Sequence, residues 1–449
     1  MKHNAASAGI APEDAAEKQH KVRMMIRFVY NLLMPIGFLF YLPGLLLKYR
    51  NRGGWKSTYS ERFGRFSPER AKELEAFHGA VWIHAVSVGE TVVALNMIRV
   101  FQQRFPGRKI VISTTTTTGQ ELARQRCPEN AAVIFCPIDF PWMVKRTFDI
   151  LKPAMLVIFE TEIWPNLICE AKKRGVALVL VNGRMSDHSA RGYRRMRCFF
   201  KPLLAKFDRL LVQSEADAER YRSVSPQADV MVCGNMKFDQ EPPAAGDDID
   251  LGECFGPEKR TVILGASTHT GEEKLLARSF AELKPEFPGL KLVLIPRHAE
   301  RGADVAEMLD SLNLKFVRRS AGEGAPEVVD VLLADTTGEM MKFMKHADIV
   351  FMGKSLAGHD EGHNLIEPAL LGKAIVTGAV LRNFRFLLKV LTDADGVVTV
   401  KSDEELTGAL RRLLADPAGR AALGERAFKA IDRHRGAAAR TVEELGKLL

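Results

Sequence analysis

The residues best equipped for chemistry are concentrated between Phe351 and Pro368, FMGKSLAGHDEGHNLIEP. An apolar run, Ala347 to Met352, leads into a loop holding Gly353, Gly358 and Gly362, and Asn364, Glu367 and Pro368 then open a predicted helix. Glycine lets backbone approach a ligand closely, and a helix N-terminus offers unpaired N–H groups to an anion. Asn364 has the spacing to cap that helix, with Glu367 three residues on turned towards the same site. Phosphosugar-binding sites are built this way. An ordinary strand-to-helix turn would look similar, so the segment alone favours a ligand site only modestly.

Other strand ends carry comparable groups. In WIHAVSVGE (Trp82–Glu90), Glu90 stands at a helix start, where a carboxylate can accept a proton from an acceptor hydroxyl or simply complement the helix dipole. STTTTTGQE (Ser113–Glu121) offers hydroxyls for a sugar or lipid head group, or for capping. In FETEIWPNL (Phe159–Leu167), Glu160 and Glu162 end a strand, and one is expected at the site with the other structural, which disfavours a paired-carboxylate glycosidase. NGRMSDHSARGYRRMR (Asn182–Arg197) holds five arginines, Arg184, Arg191, Arg194, Arg195 and Arg197, able to fork onto the phosphates of a lipid or to form a solvated face. Further on, Gly265-Ala266-Ser267-Thr268, then Pro296-Arg297-His298, then Asp335-Thr336-Thr337-Gly338-Glu339 each end a predicted strand. None has the lysine of a Walker loop. Their repetition in one half of the chain favours a nucleotide-phosphate site.

These groups need strands to hold them. From Ala80 on, short apolar runs alternate with helical stretches: Val81–Val86, Lys109–Ser113, Ala132–Cys136, Met155–Phe159, Ala177–Val181, Arg209–Gln213 and Val230–Cys233. After Asp239–Lys259, rich in proline, glycine and acid, a second series follows: Thr261–Leu264, Lys291–Ile295, Lys315–Val317, Val328–Leu333, Asp348–Met352, Ala374–Thr377 and Gly396–Val400. The alternation predicts βαβ units and two parallel sheets. The expected class is α/β with a GT-B fold, two Rossmann-like domains facing a central cleft, with ligands at the carboxyl ends of the strands. The expected division is an extension, 1–23, read as disordered; a membrane anchor, 24–50; a first Rossmann-like domain, 51–238; a linker, 239–259; and a second Rossmann-like domain, 260–449, whose last helix can pack back on the first.

The anchor is Phe28–Leu47, FVYNLLMPIGFLFYLPGLLL, uncharged and of spanning length, with basic residues on both sides and prolines that would kink it. A single span and a segment lying flat in the bilayer surface both fit. The 449 residues carry a net charge of +9, which suits an anionic partner. Zinc knuckles, long basic tracts and RNA-binding aromatic motifs are missing from the sequence, which disfavours nucleic acid. The six cysteines show no CxxC spacing and read as reduced side chains of a cytosolic compartment.

Taken in order, SVGE, TTTTTG, ETEIWPNL, NGRMS, GNMKFD (Gly234–Asp239), GAST, PRH, DT-x-GE and GHNLIEP resemble the 3-deoxy-D-manno-octulosonic acid (Kdo) transferases that act on lipid IVA, from about Tyr41 to the C-terminus. The resemblance implies an inverting GT-B enzyme, without metal or cofactor, that moves Kdo from CMP-Kdo to the lipid A precursor lipid IVA at the cytoplasmic side of the inner membrane. It implies that Glu90 is the general base. It places CMP against Pro296 and Arg297, against Thr337, Gly338 and Glu339, and against Asn364, Leu365, Ile366 and Glu367, with Ser267 and Thr268 towards phosphate. Acceptor contacts fall to Glu162, Arg184, Arg191, Arg194 and Arg195. Two departures from the family pattern are the extension 1–23 and a donor loop with Lys354 in place of a second glycine and one extra residue before Gly362. Two other functions remain open: a GT-B transferase using a UDP-sugar, and a membrane-tethered nucleotide-binding protein without activity.

Overall fold

The computed structural model describes Met25 and residues 28–35, 60–239, 249–322 and 329–449. The extension, most of the anchor and the middle of the linker lie outside the described residues. Two compact units are present, one of residues 1–239 with 436–449, the other of residues 240–435.

The first unit is built on seven parallel strands: β1 (Val81–His84), β2 (Ile110–Thr114), β3 (Ala131–Phe135), β4 (Met155–Phe159), β5 (Ala177–Gly183), β6 (Arg209–Val212) and β7 (Val230–Val232). Their order across the sheet is β3-β2-β1-β4-β5-β6-β7. A parallel sheet covered by helices on both faces buries both sides of each strand, which is why β4 reads as an unbroken apolar run and β1, β2 and β4 are buried throughout. Trp82, Phe148, Ile158 and Leu180 fill one face; Ile83, Phe101, Ile112 and Val157 fill the other. Helices begin where a hydroxyl can accept a backbone N–H: Ser87 before Val88–Arg104, Thr116 before Thr117–Arg126 and Ser186 before Asp187–Arg195.

The second unit repeats the plan with β8 (Thr261–Thr268), β9 (Leu290–Pro296), β10 (Phe316–Arg318), β11 (Val331–Leu333), β12 (Ile349–Met352), β13 (Ala374–Gly378) and β14 (Val398–Val400), in the order β10-β11-β9-β8-β12-β13-β14. All fourteen predicted runs hold a strand. The main difference is at β8, which continues past the predicted run Thr261–Leu264 as far as Thr268. Its register shifts between Ala266 and Thr268, and Ser267 has φ +51°, so GAST is an irregular strand end.

The order of connection reverses once in each sheet, between β1 and β4 and between β8 and β12. At such a point the following helices leave on opposite faces and open a crevice at the carboxyl ends of the strands, where ligands bind in open α/β sheets. The loop into Glu90 follows β1 and Glu160 follows β4. Ser267 is next to last in β8, and Gly353 follows β12.

The chain's last helix, Ala437–Gly446, belongs to the first unit. Asp239 accepts from the backbone N–H groups of Gly436 and Ala438, Glu444 pairs with Arg209, and Val442 and Leu445 enter the core beside Met97 and Phe101. Among the described residues, no helix is long and apolar enough to cross a membrane. Residues 28–35 are helical, with Phe28, Leu32 and Leu33 exposed and Tyr30 donating to Asp139 at 3.0 Å.

Candidate functional site

In the first unit the reversal point gathers three carboxylates. Glu90 lies in the first turn after its cap: its N–H donates to Ser87 Oγ at 3.3 Å, while its own carboxylate accepts from Val86 N at 2.8 Å and Ser87 Oγ at 2.9 Å. Burial pushes the carboxyl above the ordinary range, the two hydrogen bonds offset part of this, and Glu160 and Glu162 add to the rise. Glu162 accepts from Trp164 Nε1 at 2.8 Å, and burial raises its carboxyl too. The strand has already ended at Phe159, Glu160 sits at φ +56°, and both carboxylates remain close enough to act on Glu90. Lys237, in GNMKFD, approaches Glu160 at 3.4 Å.

Behind this cluster His84 ends β1, with Nδ1 3.0 Å from Ser113 Oγ, which also accepts from Trp82 Nε1 at 2.8 Å. Burial depresses His84 to about 4. The threonine run makes the cap of the next helix, where Thr116 accepts from Gly119 N at 3.1 Å. A side chain at Gly119 would meet Thr116 Oγ1 and Thr91 Oγ1, so this helix start packs closely on the helix that bears Glu90. Arg184, Arg191, Arg194 and Arg195 are exposed after β5 and make no ion pair among the described residues, which leaves them open to an anionic partner.

In the second unit Glu272 organises the reversal point. Its buried carboxylate accepts from four backbone N–H groups: His269 and Lys354 at 2.8 Å, Ser355 at 2.8 Å and Leu356 at 3.0 Å. It thereby ties the donor loop to the end of β8. Gly353 permits this approach, because a Cβ there would lie 2.4 Å from the Ser267 carbonyl oxygen. Lys354 holds φ +60°, a left-handed conformation that favours glycine.

Around this anchor the expected donor residues separate into two kinds. Arg297 is exposed, follows Pro296 at the end of β9, and makes no side-chain ion pair or hydrogen bond among the described residues. Glu367 is pushed up by burial, while a hydrogen bond from Asn364 and the charge of Arg297 pull it down. Asn364 Oδ1 accepts from Ile366 N at 3.2 Å, but the helix that follows, Ile366–Leu370, is a single turn and Leu365 holds its cap position. Leu365, Ile366 and Thr268 have buried side chains, the last donating to the Ile295 carbonyl, so they can meet a ligand through backbone groups only. Ser267 Oγ reaches Met340 Sδ. Glu339 is paired with Arg319 at 3.1 Å and held below the ordinary range by it, next to Thr337 and to Gly338 at φ +91°.

A family profile described as 3-deoxy-D-manno-octulosonic-acid transferase (kdotransferase) matches residues 57–240. A 3-deoxy-D-manno-octulosonic acid transferase of Haemophilus influenzae is 30% identical over 429 residues, covering 94% of this chain and 98% of the relative. The chain belongs to the Kdo transferase family. Its counterpart of Bordetella pertussis is 32% identical over 408 residues, 88% of this chain and 93% of the relative. This Kdo transferase family member is a glycosyltransferase. Among solved structures, a glycosyltransferase from Rickettsia africae superposes with a TM-score of 0.56 at 11% identity, covering 83% of this chain and 98% of that one. A UDP-N-acetylglucosamine 2-epimerase gives 0.56 at 12% identity, with 82% and 95% covered. At such identities these two speak for the fold alone.

The structure adds to the Kdo transferase motifs residues that sequence reasoning gave no role: Lys237 beside Glu160, His84 behind the carboxylates, and, around the already noted His298, three histidines at the second reversal point, His269, His359 and His363. Lys237 was discoverable, since it lies in a recognised motif. The histidines converge from the segments that follow three different strands, β8, β9 and β12, and spacing carries no sign of that.

Proposed function

We propose that this protein transfers Kdo from CMP-Kdo to lipid IVA by a single inverting displacement without a metal, with Glu90 as general base. The observation that carries this reading is the placement of the family's SVGE and GHNLIEP motifs at the two sheet reversals, with a partly buried carboxylate of raised pKa at the first. Glu90 would take the proton of a lipid hydroxyl as that oxygen bonds to the anomeric carbon of Kdo. The bond from that carbon to the CMP phosphate oxygen breaks, and its electron pair leaves with CMP. Arg297, the Glu272-anchored loop and the backbone of 364–366 are the groups that would steady the departing phosphate. The unpaired arginines after β5 suit the phosphates of the lipid, and the exposed Phe28, Leu32 and Leu33 suit attachment to the cytoplasmic face of the inner membrane.

Lipid-dependent release of CMP from CMP-Kdo tests the reaction. Nucleotide choice tests the alternative donor: protection against thermal unfolding by CMP with little by UDP supports this reading, and the reverse supports a UDP-sugar transferase. Arg297→Ala is expected to weaken CMP binding by about tenfold or more, as loss of one charged contact to phosphate does; unchanged affinity by calorimetry would remove Arg297 from the donor site.

A further inference from the structure

The second reversal point holds a histidine pair that the proposed mechanism leaves unused. His269 Nε2 and His363 Nε2 face each other at 3.2 Å, with rings 5.4 Å apart and 25° from parallel. Two ring nitrogens so close must share one proton, one donating and the other accepting. His359 lies 5.3 Å and His298 6.1 Å from the His269 ring, centroid to centroid.

The surroundings are cationic and their carboxylates are already engaged. Arg297, Lys354 and Glu361 act on His363, and Lys354, Arg301, His298 and His359 act on His269. Glu272 is occupied by four backbone N–H groups, Glu273 binds Arg301 at 2.8 Å, and Glu361 stands 3.7 Å from Lys354. Glu367 is hydrogen-bonded by Asn364. Arg297 has no counter-ion within ion-pair reach among the described residues. Both histidines of the pair are half-buried, within reach of a ligand.

We propose that the His269–His363 pair, with Arg297, forms an oxyanion subsite that takes up one proton when a phosphoryl or carboxylate group of the donor binds. This rests on the donor reading above. An anion placed against both Nε2 atoms needs a donor from each, so the pair must hold two protons where it held one. Without ligand the pair is neutral at pH 7: burial, then Arg297, His269 and Lys354, depress His363 to about 4, and burial also lowers His269. A bound anion reverses the balance and raises the pair. Binding therefore strengthens as pH falls through the pKa of the liganded pair towards that of the free pair, and loses this gain as pH rises back through the liganded pKa.

Calorimetry on the full chain in buffers of different ionisation enthalpy reads the proton directly, with CMP, free Kdo and inorganic sulfate as separate probes. The expected result is uptake of about one proton, and affinity rising up to about tenfold from about pH 8 to about pH 6, with both lost in His363→Gln and His269→Gln. Subtracting the variant from the parent removes CMP's own titration. Uptake with CMP assigns the subsite to phosphate; uptake with Kdo alone assigns it to the sugar carboxylate. Sulfate binding with uptake, in a protein that ignores CMP, would keep the subsite and defeat the cytidine donor. Binding of CMP with no histidine-dependent uptake by any probe would overturn the inference, as would three probes that fail to bind.

Discussion

Glu90 does two things with one side chain. Its carboxylate closes a capping box on Val86 and Ser87, which fixes its position, and burial beside Glu160 and Glu162 raises its pKa, which suits a base. Glu90→Gln keeps the shape and most of the cap but cannot accept the proton. It is expected to lower transfer by about 10²–10⁴-fold with CMP affinity nearly unchanged; a joint loss of binding in a folded variant would argue against the base role. Because the base must be ionised, activity is expected to fall on the acid side from above the ordinary glutamate range, and a pH–rate profile checks this. The motif made Glu90 visible in the sequence; its neighbourhood with Glu160 and Glu162 depends on β1 lying beside β4 and on the left-handed turn at Glu160, which spacing does not show. Lys354 offers a second test at this scale. A lysine at φ +60° bears a strain of about 1 kcal/mol that glycine escapes, so Lys354→Gly is expected to raise the melting temperature slightly or leave it level despite the added chain entropy. A clear drop would mean that the side chain holds the loop.

The loop 353–362 and the strand β8 are separate in sequence, and Glu272 makes them one structure. Spacing alone reads Glu272 as an acid in the first turn of the helix Glu272–Leu283, which it is, but its bonds to Lys354, Ser355 and Leu356 join positions more than eighty residues apart. Long-range pairing of this kind depends on which strands lie side by side, and β8 neighbours β12 because of the reversal in order. Glu272→Ala would strand four backbone donors, three of them in the donor loop, at a cost on the order of 3 kcal/mol, measurable by urea unfolding and accompanied by weaker CMP binding. A variant that lost neither stability nor affinity would show that the loop does not depend on this carboxylate.

Over the whole molecule, strand number and type were legible because parallel strands covered on both faces leave long apolar runs. Strand order was not, since it is set by the packing of crossover helices and not by any local pattern. The closing helix Ala437–Gly446 belongs to the first unit through Asp239, Arg209 and the apolar contacts of Val442 and Leu445. Leu445→Ala is expected to destabilise that unit by about 2–5 kcal/mol while leaving CMP binding by the second unit in place; equal melting of variant and parent would contradict this packing. The central claim concerns the reaction itself. The most direct measurement is mass spectrometry of lipid IVA after incubation with the purified protein and freshly generated CMP-Kdo. The account predicts a mass gain of one or more Kdo units, abolished or nearly so in Glu90→Gln; an unchanged lipid mass, from a protein that still binds CMP, would contradict it.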